Sequence, residues 1–287
     1  MRIRGRVQSE HSREVMSRLT NWLAIALLLS CSLLLTACAS RTTGVGPQGP
    51  VGPQEPVGAR PLEGAPSEDL TVIESSGHLV TQEHELTGFD GVEGGLGFEV
   101  DIRQGDTFQV TTSVDENVLP YVVIRVEENV LKLGMDPNHT YLMESVEMRA
   151  EVTMPELNRL TLDLAGETTV SGFRSTGDLE IIMELASGLQ GDVEAVSLSL
   201  DVSMSSGVDL SGSAQSLTLN ASGSSTVDLA DLAVTDADVT ADTSSTITVN
   251  VSGRLDASAG SGSNITYLGN PTLGQIVSSA GGSIEPR

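Results

Sequence analysis

The sequence predicts an all-β chain, a single-stranded parallel β-helix of about 19-residue turns closed at its N-terminal side by an irregular β cap. Two observations predict it. Apolar residues recur down the second half of the chain at Val170, Leu189, Val208, Val227, Ile247, Ile265 and Ile284, with spacings of 19, 19, 19, 20, 18 and 19. A second column runs Leu160, Leu179, Leu198, Leu217, Ala237 and Leu255. Within each unit the alternation has period two, as in Leu217, Leu219 and Ala221 around Thr218 and Asn220, which is the pattern of a half-buried strand. A single unit cannot bury its own apolar face, but units stacked at about 4.8 Å share one core. Helical repeats are excluded by the shorter period and by the abundance of Val, Thr, Ser and Gly, all poor helix formers.

Taken from the start of the chain, residues 1–37 read as a secretory signal. Arg2, Arg4, Arg6, Arg13 and Arg18 precede an apolar run from Trp22 to Leu35, which ends at Thr36-Ala37-Cys38. A transmembrane helix needs about 20 apolar residues, more than this run offers. Met16 to Cys38 alone would make a complete signal, so Met1 and Met16 are both open as the start. Leu35-Thr36-Ala37-Cys38 resembles the lipobox of bacterial lipoproteins, which implies that Cys38 becomes the lipid-modified first residue of the mature chain.

Removal of five arginines and two glutamates with the signal takes the net charge from −24 to −27. So acidic a chain is repelled by nucleic acid and by anionic lipid headgroups. The expected membrane partner is therefore engaged by acyl chains, palmitate among them, at about 0.8 kcal/mol per buried methylene. Ser40, two residues after the cysteine, is compatible with sorting to the outer membrane of the cell envelope or to the cell surface. Residues 38–69 are rich in Gly and Pro, with Gly46-Pro47-Gln48, Gly49-Pro50-Val51 and Gly52-Pro53-Gln54 in succession. Three such triplets are too few for a collagen helix, and a disordered tether is expected.

Residues 70–159 show strands without the regular period: Phe98, Val100 and Ile102 alternate, Gln104-Gly105-Asp106 turns, and Phe108 and Val110 alternate again. Val118-Leu119-Pro120-Tyr121 interrupts them as a short helical turn. Five of the seven aromatics of the mature chain fall here, and a solenoid needs an atypical end unit to block edge-to-edge growth, so this segment is the expected cap. Residues 160–287 are the regular repeats. Their turns, such as Ser222-Gly223-Ser224 and Thr243-Ser244-Ser245, are small and polar, and the hydroxyls are suited to satisfying turn amides.

Several separate stretches resemble one bacterial family. They are Glu85-Leu86-Thr87-Gly88-Phe89-Asp90-Gly91-Val92, Gln104-Gly105-Asp106, Asn117-Val118-Leu119-Pro120-Tyr121, Met154-Pro155-Glu156-Leu157 and Tyr267-Leu268-Gly269-Asn270-Pro271. Together, over about residues 77–287, they look like the putative auto-transporter adhesin, head GIN domain family. The resemblance implies a parallel β-helix with Gly/Ser turns and a part in adhesion; it carries over no functional residues.

No catalytic set is visible. After residue 159 the basic residues are Arg174, Arg254 and Arg287, no His follows His139, and Lys132 is the sole lysine. His78, His84 and His139 lack metal-ligand spacing, and serines without a nearby base are not activated nucleophiles. Asp209 and Asp228 share one repeat position on adjacent turns, so their side chains are expected about 5 Å apart as weak candidates for a calcium site. No cofactor is expected. The leading expectation is a non-catalytic envelope module for adhesion, scaffolding or surface interaction with a protein or glycan partner. The alternative is a carbohydrate-active β-helix enzyme that uses a carboxylate pair.

Overall fold

A computed structural model describes residues 70–175 and 177–287. Of these, 66% lie in strands, and the sheets form a β-solenoid of about six turns with no α-helix among the described residues. The signal peptide, Cys38 and the tether lie outside the described residues.

The first half contributes β1 (Leu70–Glu74), β2 (Leu79–His84), β3 (Gly91–Gly94), β4 (Glu99–Gln104), β5 (Gln109–Asp115), β6 (Val122–Glu127), β7 (Val130–Met135), β8 (Thr140–Glu144) and β9 (Met148–Met154). A 3-10 turn at Leu119–Tyr121 joins β5 to β6, with Pro120 in its first turn, where a missing N–H costs nothing. The second half contributes β10 (Arg159–Leu162), β11 (Glu167–Arg174), β12 (Asp178–Met183), β13 (Gly188–Val202), β14 (Gly207–Ala221) and β15 (Thr226–Ala241). It ends with β16 (Thr246–Val251), β17 (Arg254–Ala259), β18 (Asn264–Leu268), β19 (Thr272–Ser278) and β20 (Ser283–Pro286).

Two parallel ladders run the length of the stack. One passes from β7 through β3, β10, β12 and the C-terminal halves of β13, β14 and β15 to β17 and β19. The other passes from β9 through β4, β11 and the N-terminal halves of β13, β14 and β15 to β16, β18 and β20. The parallel stacking thus reaches back well before residue 160. Its order also departs from the chain order, because β7 and β9 lie outside β3 and β4. Antiparallel strands then close that end, with β6 on β7 and β5 on β9.

The core is one continuous column of side chains, with Leu160, Leu179, Leu198, Leu217, Leu219 and Val227 each at most 2% exposed. Between the strands the chain reverses through pairs of residues at positive φ: Leu164–Ala165, Leu185–Ala186, Met204–Ser205, Gly223–Ser224, Thr243–Ser244, Ser261–Gly262 and Ala280–Gly281. Two successive left-handed residues make a tight primed turn, which suits the Gly, Ser and Thr of the later turns, while Leu164, Leu185 and Met204 hold the first position of the earlier ones. Ser187, Ser206, Ser225 and Ser245 follow the pairs and are buried. Each Oγ donates to the carbonyl three residues back, at 2.7, 2.7, 2.7 and 2.8 Å, so the turn serines form an internal ladder of caps.

The register differs at one turn from that read off the spacings. Leu189 is partnered by Thr168, not Val170, and Leu160 stands beside Ile181, not Leu179. Both offsets are 21 residues. Bulging between Val170 and Phe173, followed by the corner before Asp178, takes up the extra two residues. Thr168 consequently occupies a core position between Val100 and Leu189, 2% exposed, and its Oγ1 has no hydrogen-bond partner among the described residues. An orphaned buried hydroxyl costs about 1–3 kcal/mol, and valine has nearly the same shape. Thr168→Val is expected to raise the unfolding free energy by about 1 kcal/mol in urea titration; a decrease would show that the hydroxyl is satisfied in solution.

Candidate interaction surface

Where the two-residue excess is accommodated, the corner opens outward and a concavity forms beside it. Its volume is about 780 Å³, and its walls include Gln104, Glu156, Arg174, Ser175, Asp178 and Glu180. A second concavity of about 540 Å³ continues along the same corner past Ser175, over Glu194, Val196, Gln215, Thr235 and Ser252. Together they trace a groove that crosses successive turns of the solenoid. Each turn contributes at this corner for a structural reason: the chain leaves one sheet for the other there, and Gly172, Gly191 and Gly212 take positive φ to make the bend.

The chemistry of the groove is hydrogen bonding and fixed charge. Arg174 pairs with Glu194, and Arg159 Nε donates to Glu180 at 2.9 Å, with all four side chains largely exposed. Glu156 and Asp178 are the remaining acids of the larger concavity, and no arginine or lysine of the described residues comes within ion-pair distance of them. Hydroxyls and amides of Ser175, Ser197, Ser199, Gln215 and Thr235 complete the surface. Neither concavity contains His, Lys or Cys, and Phe173, the one aromatic at its edge, is buried.

Asp209 and Asp228 do stand opposite one another in the parallel ladder, as their repeat position predicts. The run of adjacent acids is two levels deep, since Gln190 precedes the pair and Thr248 follows it. Asp228 Oδ1 accepts the amide of Ala230 at 3.0 Å. Among the described residues no group of three His, Cys, Asp or Glu side chains is arranged to hold a metal ion. Partial desolvation beside the sheet raises the carboxyl of the exposed Asp209 above its usual range, and Asp228 and Asp231 raise it further. Asp163 and Glu167 are raised for the same kinds of reason, burial first and neighbouring acids second.

A carboxyl raised on folding contributes stability that is full below its unfolded value and is lost as pH rises through the folded one. Mild acidification from pH 7 to about pH 5, where carboxyls lowered on folding still keep their contribution, is therefore expected to raise the melting temperature. Asp209→Asn should gain at most about 0.5 kcal/mol at pH 7, as befits an exposed site. That gain should shrink toward pH 4, and a gain independent of pH would sink the electrostatic account.

The histidines are apart from one another. His84 Nε2 bonds Thr112 Oγ1 at 2.8 Å and its basicity is lowered by burial. His139 packs edge-on to Tyr121, with ring centroids 5.7 Å apart. No helix of the described residues is long and apolar enough to cross a membrane. The groove acids Glu156, Asp178 and Glu180 carry no signature in the repeat pattern. The signal that could have found them is the 21-residue turn, which marks where the corner must bulge.

Solved structures share this architecture. A putative adhesin from Bacteroides fragilis NCTC 9343 is 20% identical, with a TM-score of 0.68 over 75% of this chain and all of its own. A putative lipid binding protein from Parabacteroides distasonis ATCC 8503 is 21% identical, with a TM-score of 0.62 over 76% of this chain and all of its own. A putative adhesin from Parabacteroides merdae ATCC 43184 is 19% identical, with a TM-score of 0.63 over 75% of this chain and 99% of its own. At such identities the likeness concerns the fold. No curated protein matches the sequence. The sequence model of the putative auto-transporter adhesin, head GIN domain, matches residues 88–271, and the chain belongs to that family.

Proposed function

We propose that this protein is a cell-envelope lipoprotein, anchored through acylated Cys38, whose β-solenoid is a non-catalytic surface for adhesion or scaffolding. Membership of an adhesin-like family supports a role at the cell surface. The observation that carries the non-catalytic part is the groove itself. Two of its four acids are tied to arginines, and its other groups are hydroxyls and amides that bind without activating a nucleophile. Such a surface suits a partner, protein or glycan, that donates hydrogen bonds to carboxylates and hydroxyls along several turns. It does not suit nucleic acid, whose phosphates the net negative charge repels.

The anchor is tested in cells fed labelled palmitate. Wild-type protein is expected to incorporate label and partition with membranes, and Cys38→Ser to do neither; membrane association of Cys38→Ser equal to wild type would overturn the anchor. The surface is tested by attachment of cells that carry wild-type protein or the Glu156→Gln/Gln215→Ala/Thr235→Ala variant. Equal attachment, at equal surface expression, would count against the groove as the binding face.

One observation favours a second reading, a carbohydrate-active enzyme. Glu156 and Asp178 line the larger concavity without a basic partner, and two carboxylates are the minimum for glycoside hydrolysis. Release of reducing ends from a polysaccharide, abolished by both Glu156→Gln and Asp178→Asn, would establish it in place of the first.

A further inference from the structure

We propose that the C-terminal coil, β19 and β20, is a self-association surface whose occupant is the same coil of a second copy, paired tail to tail about a two-fold axis. The two ends of the stack are built differently. At the β7 and β9 end each parallel strand has its outer edge taken by an antiparallel partner, β6 or β5. At the other end β19 pairs with β17 alone and β20 with β18 alone among the described strands, so both outer edges present unpaired N–H and C=O groups.

The core columns also run out into solvent there. Leu273 and Ile276 continue the columns of Leu255 and Ala257, which are at most 4% exposed, yet are themselves 48% and 39% exposed. Val277, beside them, is 52% exposed, and Ile284 continues the column of Ile265. All seven residues of β19 are exposed. Apolar side chains and open ladder edges thus coincide on one surface.

Charge selects the occupant. Residues 226–245 hold five acids and no base, so faces of two copies that meet at mid-stack repel one another. Residues 272–287 hold one acid, Glu285, and one base, Arg287. The side chains of this coil carry no net charge, so two copies of a strongly acidic chain meet there without that repulsion. Head-to-tail addition is disfavoured because the outermost strands of the opposite end, β6 and β2, carry the charged residues Arg125, Glu127 and Glu83 on their open edges. A tail-to-tail pair closes instead of growing, since an isologous contact uses the same surface on both copies.

The pairing stands on the coil alone, while its adhesive consequence rests on the anchored reading above. The chain enters the domain at β1, which pairs with β8 beside the capped end, remote from β19 and β20. Copies on two facing membranes then meet by these coils and hold the membranes together.

The full chain in detergent is expected to sediment as a monomer–dimer mixture with a midpoint of about 10–100 µM, the range of a small interface. Ile276→Asp should weaken the dimer at least tenfold. Because that residue borders the core, Val277→Arg, on the outer side of β19, serves as the second variant and should also weaken it at an unchanged melting temperature. A short bis-maleimide should couple chains carrying Val277→Cys and leave those carrying Thr218→Cys, at mid-stack, uncoupled. Monomers throughout up to 1 mM, species larger than a dimer, or equal coupling at the two positions would each overturn the pairing. If the dimer forms but vesicles bearing the lipidated chain do not cluster, the pairing stands and its adhesive consequence falls.

Discussion

Gly191→Ala is expected to unfold most of the protein at temperatures where the wild type is fully native. Gly191 has φ +148 and lies in the ladder opposite Val170. A Cβ built there would come within 1.8 Å of the Val170 carbonyl oxygen, 2.8 Å of its carbon and 3.0 Å of its nitrogen. These are backbone atoms of the adjacent turn, so no side-chain rotation relieves the clash. Either the ladder separates locally or the corner straightens and shifts every residue that follows. Mechanisms of this kind account for the tail of point substitutions above about 4 kcal/mol, against a total stability of about 5–15 kcal/mol. Gly207→Ala is the matched control, because Gly207 begins the next long strand and a Cβ there would have nothing within 4 Å. It should be neutral within about 1 kcal/mol, or slightly stabilising through loss of unfolded-state entropy. Equal urea midpoints for the two variants would refute the assignment of Gly191 to a close backbone approach.

Asp115→Ala is expected to release the N-terminal strands from the body of the solenoid. Asp115 ends β5, is 1% exposed, and accepts hydrogen bonds from Ser75 Oγ at 2.5 Å, Ser76 N at 3.0 Å, Ser76 Oγ at 2.7 Å and Asn117 N at 3.1 Å. The link between β1 and β2 is thereby held on one carboxylate, and alanine would orphan all four donors. The melting temperature should fall by several degrees, and protease should cut within residues 75–84 in Asp115→Ala under conditions that spare the wild type. Asp115→Asn keeps the shape but replaces one acceptor oxygen by a donor, so it should fall between the two. Those same donors hold the Asp115 carboxyl far below the usual range. A carboxyl lowered on folding contributes stability that is present above its unfolded value and lost as pH falls through the folded one. The contribution should therefore be intact at pH 5 and fade only below about pH 4. Protection of residues 75–84 that disappears already at pH 6 would show that another group sets it.

Both sites bear on how much the sequence discloses. Asp115 is one acid among 39, and nothing near it in the chain marks it as a junction, because three of its four donors lie 39 or 40 residues away. Gly191 stands in a stretch that reads as a plain alternating strand, and only the backbone of the neighbouring turn reveals why a side chain is excluded. The groove follows the same rule. Glu156, Asp178 and Arg174 are ordinary polar residues of loops and strand ends until the bulged corner brings them to one wall.

By itself the sequence determined the class of fold, the length of its unit, the face each residue presents and the turn points. Those properties are local: alternation with period two sorts residues inward or outward, and Ser, Gly and Thr mark the later points of positive φ, though not Leu164–Ala165 or Leu185–Ala186. Tertiary structure decided the register and the order of the turns. Alternation is unchanged by a slip of two residues, so Thr168 and Val170, or Leu179 and Ile181, are equally acceptable partners by pattern. Only the corner, bulged after Val170, selects between them. It likewise decided that β7 and β9 lie outside β3 and β4, because any apolar strand can extend a parallel ladder and alternation does not say which edge it joins.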